Sequence, residues 1–285
     1  MDFNKITRND TLNFKIEKAI EEKRILGGKI QNVRANGEII IALDLAGEYN
    51  EVLNVAMPFE ESTLYVPKTY KDQEGKLTER GLRNYRSYVG CDISFFLEVV
   101  GNELKASMKK AKRATIEQFE NNLVQLPFKL KVNVLGARKD YIIVEWNGIV
   151  QTVSAKFLSH SEVTDINDFI ADNNNLSNEF MLTAFDQERK LITLDRRPLV
   201  INKFAKKTGE GKDYQIGDYC MGKVIDKIVN DIEHPILIIE LEPELLALAY
   251  PAEGFMASKG TIVKGEIKKF NANAKKIILK DVTLV

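Results

Sequence analysis

The sequence predicts an all-β chain of three tandem five-stranded barrels preceded by a short N-terminal helix, and three observations predict it. An alternating strand, a polar turn and a second short alternating strand recur three times. The copies occupy residues 89–111, 180–197 and 260–281. Asn36-Gly37 and Asn147-Gly148 stand between alternating apolar runs, the strongest short-range hairpin signal. Long polar connections at about residues 59–87 and 161–179 precede the first two closing hairpins. A unit that recurs in this way is one small module used in tandem.

Size and composition agree with several modules. The chain has 285 residues, 44% apolar and 29% charged, ordinary values for a globular protein with real cores. Residues 1–5 carry no apolar signal region, and no apolar run approaches the ~20 residues that span a bilayer. No membrane association is expected. Cys91 and Cys220 read as two reduced thiols in a reducing compartment. With His160 and His234 they are too few for an ordinary zinc site, and no metal or cofactor is expected. Basic and acidic residues number 41 each and no third of the chain is strongly basic, so any field that attracts nucleic acid must be local.

Residues 1–24 form the N-terminal extension. Thr11 reads as the N-cap of an amphipathic helix whose apolar positions are Leu12, Phe14, Ile16, Ala19 and Ile20, with Gly27-Gly28 ending it. The period then changes to two. Strands at 29–34, 39–43 and 52–58, the long connection and the closing hairpin make a first barrel over residues 25–114. Five strands with a long third-to-fourth connection fit the OB fold, a Greek-key barrel. A second barrel over 123–198 has strands at 127–134, 141–146 and 149–153 before its hairpin. Residues 199–215, rich in glycine and lysine, read as a flexible linker, and 216–285 as the third barrel. Residues 114–122 form a joint that could be helical.

Several residues together carry a family resemblance. Gly217, Asp218, Gly222 and Val224 open a repeat; the third strand of the first repeat ends in Ala56-Met57-Pro58-Phe59-Glu60-Glu61-Ser62. Val89-Gly90 precede the hairpin, and Ala106-Ser107-Met108-Lys109-Lys110 close it. This order resembles the S-one domain, the OB-type RNA-binding module repeated in the S-one protein of the bacterial small ribosomal subunit. The resemblance covers residues 25–113 well and 123–198 and 213–285 less fully. It implies a non-enzymatic module that binds single-stranded RNA on one barrel face. The chain departs from the family where aromatics on the second and third strands stack on bases. The second strand reads Ile39-Ile40-Ile41 in the first repeat and 236–239 is aliphatic in the third, while Pro58 stands about where the family has a histidine. The resemblance therefore implies an eroded aromatic face, with Tyr141, Trp146, Lys156 and His160 of the second repeat the nearest to its pattern.

Candidate contacts follow from composition. In the first long connection Tyr65, Tyr70, Tyr85 and Tyr88 alternate with Lys68, Lys71, Lys76, Arg80, Arg83 and Arg86 against only Asp72, Glu74 and Glu79. Aromatic and guanidinium groups suit base stacking and phosphate contact. The same composition suits a protein interface, or a solvated loop. Arg138, Lys139 and Tyr141 occupy the first hairpin turn of the second repeat, from which OB loops reach ligands. The expected nucleic-acid-binding residues are Tyr65, Lys68, Tyr70, Lys71, Arg83, Tyr85, Arg86, Arg138, Lys139, Tyr141, Trp146 and Lys156. The basic pairs at 109–110 with 112–113, 196–197, 206–207 and 275–276 read as solvated faces that a phosphate backbone could use.

No phosphate loop, nucleophile elbow or paired-cysteine motif occurs, so no enzymatic activity is expected. The expected partner is single-stranded RNA, or less favourably DNA. The competing class is a structural or assembly protein whose barrels dock onto protein subunits of a larger particle, such as a phage virion. Cytoplasmic location is expected, or the virion for a phage protein.

Overall fold

The computed structural model describes residues 10–43, 53–160, 163, 166, 178–200, 214–228, 235–242, 245–252, 254–271 and 276–285. The sequence-predicted linker at 199–215 and the acidic connection at 161–179 lie almost wholly outside the described residues. The chain divides into two compact units. One comprises Met1–Ala137, Ile142–Val153 and Asn178–Leu194; the other comprises Arg138–Tyr141, Ser154–Ser177 and Asp195–Val285.

The first unit opens with α1 (Asp10–Glu21), whose inward residues Ile16 and Ala19 join the core. Gly27-Gly28 do not end this helix, contrary to expectation. Lys23 does so at φ 49°, with the Arg24 N–H on the Ala19 carbonyl and the Lys23 N–H on that of Ile20, a Schellman closure. The two glycines belong to β1 (Leu26–Val33). With β2 (Ile39–Leu43), β3 (Leu53–Met57), β4 (Asp92–Val100) and β5 (Glu103–Ser107) it forms a closed barrel in the order β1-β2-β3-β5-β4. This is the OB arrangement, with β3 and β5 parallel. Alternation places Ile39, Ile41, Leu43, Val55, Met57, Ile93, Phe95 and Leu97 inside. α2 (Glu79–Arg86) bridges β3 and β4; Thr78 caps it by accepting the Gly81 N–H at 3.2 Å.

The closing strand of the first barrel ends earlier than the sequence pattern suggests. At Ser107 the chain turns into α3 (Met108–Glu120), Ser107 Oγ accepting the Lys110 N–H, so Lys109 and Lys110 lie on a helix and not on a strand. Its buried stripe, Met108, Ala111, Thr115 and Phe119, has helical spacing.

Among the described residues the second repeat does not close into a barrel. Its strands are β6 (Phe128–Lys131), β7 (Asn133–Arg138), β8 (Tyr141–Trp146), β9 (Ile149–Ser154), β10 (Glu179–Asp186) and β11 (Leu191–Asp195). They form two three-stranded sheets, β11-β10-β6 and β7-β8-β9, and no β9–β11 ladder is present among the described residues. The cause lies in the first strand, which breaks at Val132, where the N–H donates to the Asn178 carbonyl. Its two halves serve different sheets. The β7-β8-β9 sheet is also covered on both sides: Ile142, Ile143, Val144 and Glu145 are consecutively buried, and Leu135 and Ile143 join the first barrel's core cluster.

The second unit contains the other closed barrel, formed by the third repeat and called the third barrel after it. β12 (Tyr219–Ile228), β13 (Ile236–Glu242), β14 (Leu245–Ala249), β15 (Ile262–Asn271) and β16 (Lys276–Leu284) close in the order β12-β13-β14-β16-β15. The described chain is thus mostly β with two closed barrels, not three, and three α-helices.

The two closed barrels repeat one another in detail. Gly28 and Gly222 lie on first strands pressed so close to the second that a Cβ would meet Ile41 Cγ2 at 2.7 Å or Ile239 Cγ2 at 2.6 Å. Two residues later each first strand shifts register, at Ile30/Asn32 and at Val224/Asp226. Gly90 and Gly260, at φ 90° and 92°, donate their N–H to Ile30 and Val224 and so start the fourth strand.

Candidate nucleic-acid interface

The first long connection folds into an ordered projection beside α2. Asp72 Oδ1 accepts the N–H groups of Glu74 and Lys76, Gly75 turns the chain at φ 81°, and Lys71 and Leu77 form a bridge. The base of this hairpin is tied to the helix, since the Tyr70 carbonyl accepts both the N–H and the hydroxyl of Thr78. Gly81 is required here, because a Cβ would stand 2.4 Å from the Tyr70 oxygen.

On this frame Tyr65 is 59% exposed and its carbonyl accepts the Tyr88 hydroxyl. Lys68 and Tyr70 lie on a short 3-10 turn, with the Arg80 guanidinium 4.7 Å over the Tyr70 ring. Lys71 Nζ lies 4.9 Å over Phe59. Arg80, Arg83 and Arg86 follow at three-residue spacing along the exposed side of α2. Of the charged groups here, Lys76 is paired with Glu74 at 2.6 Å. The surface therefore presents cations held against aromatic rings, an arrangement that suits both phosphate contact and base stacking.

Tyr85, which the sequence places among the stacking residues, is corrected by the structure. It is 1% exposed, edge-on to Phe59 at 5.3 Å and Tyr88 at 6.2 Å, and burial pushes its phenol above the ordinary range. A ring enclosed on every side offers nothing to a base, so Tyr85 belongs to the core. Trp146 is in part enclosed. It is half-buried between Phe119 at 6.3 Å and Phe128 at 6.0 Å, and packs the middle sheets against α3.

A second cluster lies within the second unit. Arg138 and Lys139 are exposed in the β7–β8 turn and Tyr141 is 37% exposed. The Ala155 N–H donates to the Asp140 carbonyl, which holds the exposed Lys156 beside that turn. Phe157 carries Lys156 at 5.0 Å and Arg197 at 5.1 Å from its ring centre. Asp195 fixes the Arg197 guanidinium with bonds of 2.6 and 2.9 Å. Burial pushes the Asp195 carboxyl up, but these bonds and the Arg197 charge hold it below its ordinary value. His160 is not a free surface histidine, since a ring nitrogen lies 2.9 Å from the Arg197 carbonyl.

Of the residues the sequence singles out, Tyr65, Lys68, Tyr70, Lys71, Arg83 and Arg86 lie exposed or part-exposed in the first unit and Arg138, Lys139, Tyr141 and Lys156 in the second. Phe59 and Phe157 are not among the residues expected to contact nucleic acid, and Arg197 reads there only as half of a basic pair. Phe157 and Arg197 are far apart in sequence, and only the fold makes them neighbours; Phe59 follows Pro58 and read as the end of a strand. Among the described residues no group of three or more His, Cys, Asp or Glu side chains is placed to hold a metal ion, and no helix is long and apolar enough to cross a membrane. Neither cysteine is in a disulfide.

No family model matches the chain, and no curated protein matches it. Among solved structures, the crystal structure of a multidomain protein with nucleic acid binding domains from Streptococcus pneumoniae TIGR4 is matched over 90% of this chain and 72% of that chain. The sequence identity is 10% and the TM-score 0.18, too low to add to the account of the barrels given above.

Proposed function

We propose that this protein binds single-stranded nucleic acid, RNA in preference to DNA, without catalysing a reaction. The observation that carries the reading is the pre-organised surface of the first barrel. There Arg80 on Tyr70, Lys71 on Phe59 and the exposed Tyr65 share the β3–β4 connection with the exposed Arg83 and Arg86. Three features support it. The chain as a whole is neutral, so this local excess of cations is not a by-product of a basic composition. Rings with exposed surface add sequence-tolerant stacking to phosphate contact. The resemblance to S-one modules favours RNA as the strand. The cluster of Arg138, Lys139, Tyr141, Lys156, Phe157 and Arg197 offers a second contact of the same kind.

The test is anisotropy of fluorescein-labelled oligouridylate and oligothymidylate across a salt series. Binding through phosphates weakens log-linearly with salt, by a slope of about 0.7 per contact on a single strand. Replacing Lys68, Lys71, Arg83 and Arg86 together by alanine is expected to lower that slope by about 3. Docking to a protein through apolar surface would give neither oligonucleotide binding nor a salt slope. Absence of binding at the lowest salt would end this reading.

A further inference from the structure

We propose that the β12–β15–β16 face of the third barrel is a second track for a single-stranded nucleic acid, resting on the binding activity proposed above but using none of its residues. The register builds this face. Tyr219 pairs with Glu266, which pairs with Lys280; Met221 pairs with Lys264; Lys269 pairs with Ile278. The inward partners in these strands, Val224, Val263, Ile267, Ile277 and Leu279, are buried, so the alternating positions point outward.

Its charge is unequal. Lys223, Lys227, Lys264, Lys268, Lys269 and Lys276 are exposed on these three strands, against the exposed Asp226 and Asp281. Glu266 is already held by Lys280 at 2.9 Å. The other flank of the same barrel, β13 and β14, contains no lysine or arginine and carries Glu240 and Glu242. Positive charge is thus segregated onto one flank of one barrel in a chain of zero net charge, which concentrates its field there.

The face also has a platform. Tyr219 is 64% exposed with Lys264 Nζ 5.1 Å from its ring centre, and Met221 beside it is 58% exposed. A ring with one cation above it and most of its surface in solvent can stack on a base. From Lys264 to Asn271 the strand runs about 23 Å at about 3.3 Å per residue, room for a few nucleotides, as single barrels of this fold hold. On the corresponding face of the first barrel the fourth strand presents Asp92, Ser94, Phe96 and Glu98 and no lysine, and the helix that follows packs there.

The test uses the full chain and the same labelled oligouridylate and oligothymidylate. Replacing Lys264, Lys268 and Lys269 together by alanine is expected to reduce the slope of log affinity against log salt by about 2. Tyr219→Ala is expected to weaken binding about 5- to 150-fold with the slope unchanged. All four side chains are exposed, and unchanged thermal melting verifies that the fold is intact. If both variants bind like the parent chain while the first-barrel variants lose affinity, the β12–β15–β16 track is overturned and the first site stands. If the parent chain binds neither oligonucleotide, both are overturned.

Discussion

The first barrel and the third share strand order, first-strand glycine, register shift and fourth-strand glycine, yet their fourth strands face opposite environments. In the first barrel, Ser94 on β4 donates its hydroxyl to Glu145 of the middle sheet at 3.2 Å, and Cys91 Sγ donates to the Leu135 carbonyl at 3.5 Å. At the same step after the fourth-strand glycine, the third barrel has Lys264, exposed over a tyrosine. One scaffold thus serves two ends. Its interior is specified by alternation and two glycines, while its outer positions are free to become either a packing surface or a charged one.

The sharpest way to break this comparison is to undock the middle sheet from the first barrel. Gly148 closes the β8–β9 hairpin at φ 80°, where a Cβ would stand 2.3 Å from the Met108 carbonyl oxygen and 2.6 Å from the Lys112 nitrogen. The Thr63 hydroxyl donates to its carbonyl at 2.7 Å. Gly148→Val is therefore expected to cost about 3–6 kcal/mol, from left-handed strain plus overpacking against backbone that cannot yield. Gly260→Ala, at φ 92° with nothing within 4 Å of the added carbon, is expected to cost only about 1–3 kcal/mol. Urea unfolding of both variants measures the difference. Equal costs would show that the hairpin is not held as described.

Two tyrosines extend the contrast. Tyr85, 1% exposed, anchors α2 to the first barrel; Tyr85→Ala is expected to lose about 3–5 kcal/mol by leaving a cavity. Tyr219, 64% exposed on the third barrel, should change stability by less than about 0.5 kcal/mol when replaced by alanine. The same denaturation series reports both. A Tyr219→Ala variant as unstable as Tyr85→Ala would mean that the third-barrel face is packed and not open.

What the sequence discloses follows from what local patterning can encode. The closing hairpins and the turn at Asn147-Gly148 were legible because strict alternation and left-handed turn residues act over a few positions; Asn147 at φ 49° and Gly148 at φ 80° fit an Asn-Gly turn. Asn36-Gly37 gave the hairpin but not its length: only Gly37 has positive φ, and the loop holds three residues, with Gly37 N–H on the Arg34 carbonyl. The open middle repeat was hidden. Its clue is the unbroken buried run Ile142-Ile143-Val144, which departs from period two because both faces are covered, but a run of three is too short to separate from noise. The start of α3 was hidden because 104–111 alternates like a strand until Ser107 caps the helix. Tyr85 misled for a related reason: composition places aromatics and arginines on one segment without saying which side of a helix each occupies. At three-residue spacing Arg83 and Arg86 face out while Tyr85 between them faces in.

The last way to sharpen the comparison is pH, because the joint between the first barrel and the middle sheet contains a carboxylate. Glu145 is fully buried and accepts the Asn133 amide and the Gly148 N–H at 2.6 Å each, besides the Ser94 hydroxyl. Burial raises its carboxyl from an ordinary 4.5 to about 7, against the lowering effect of these bonds; no cation is among the causes. The folded chain therefore holds this proton more tightly than the unfolded chain does. The associated stability is complete below about pH 4.5 and is lost as pH rises through about 7, by an order of 1–3 kcal/mol. Melting of the parent chain should fall between pH 5.5 and 8 relative to Glu145→Gln, whose side chain stays neutral throughout that range. Parallel pH profiles for the two would show that Glu145 is ionised in the folded chain at both ends of the range. The joint would then be held by a charge that burial fails to neutralise.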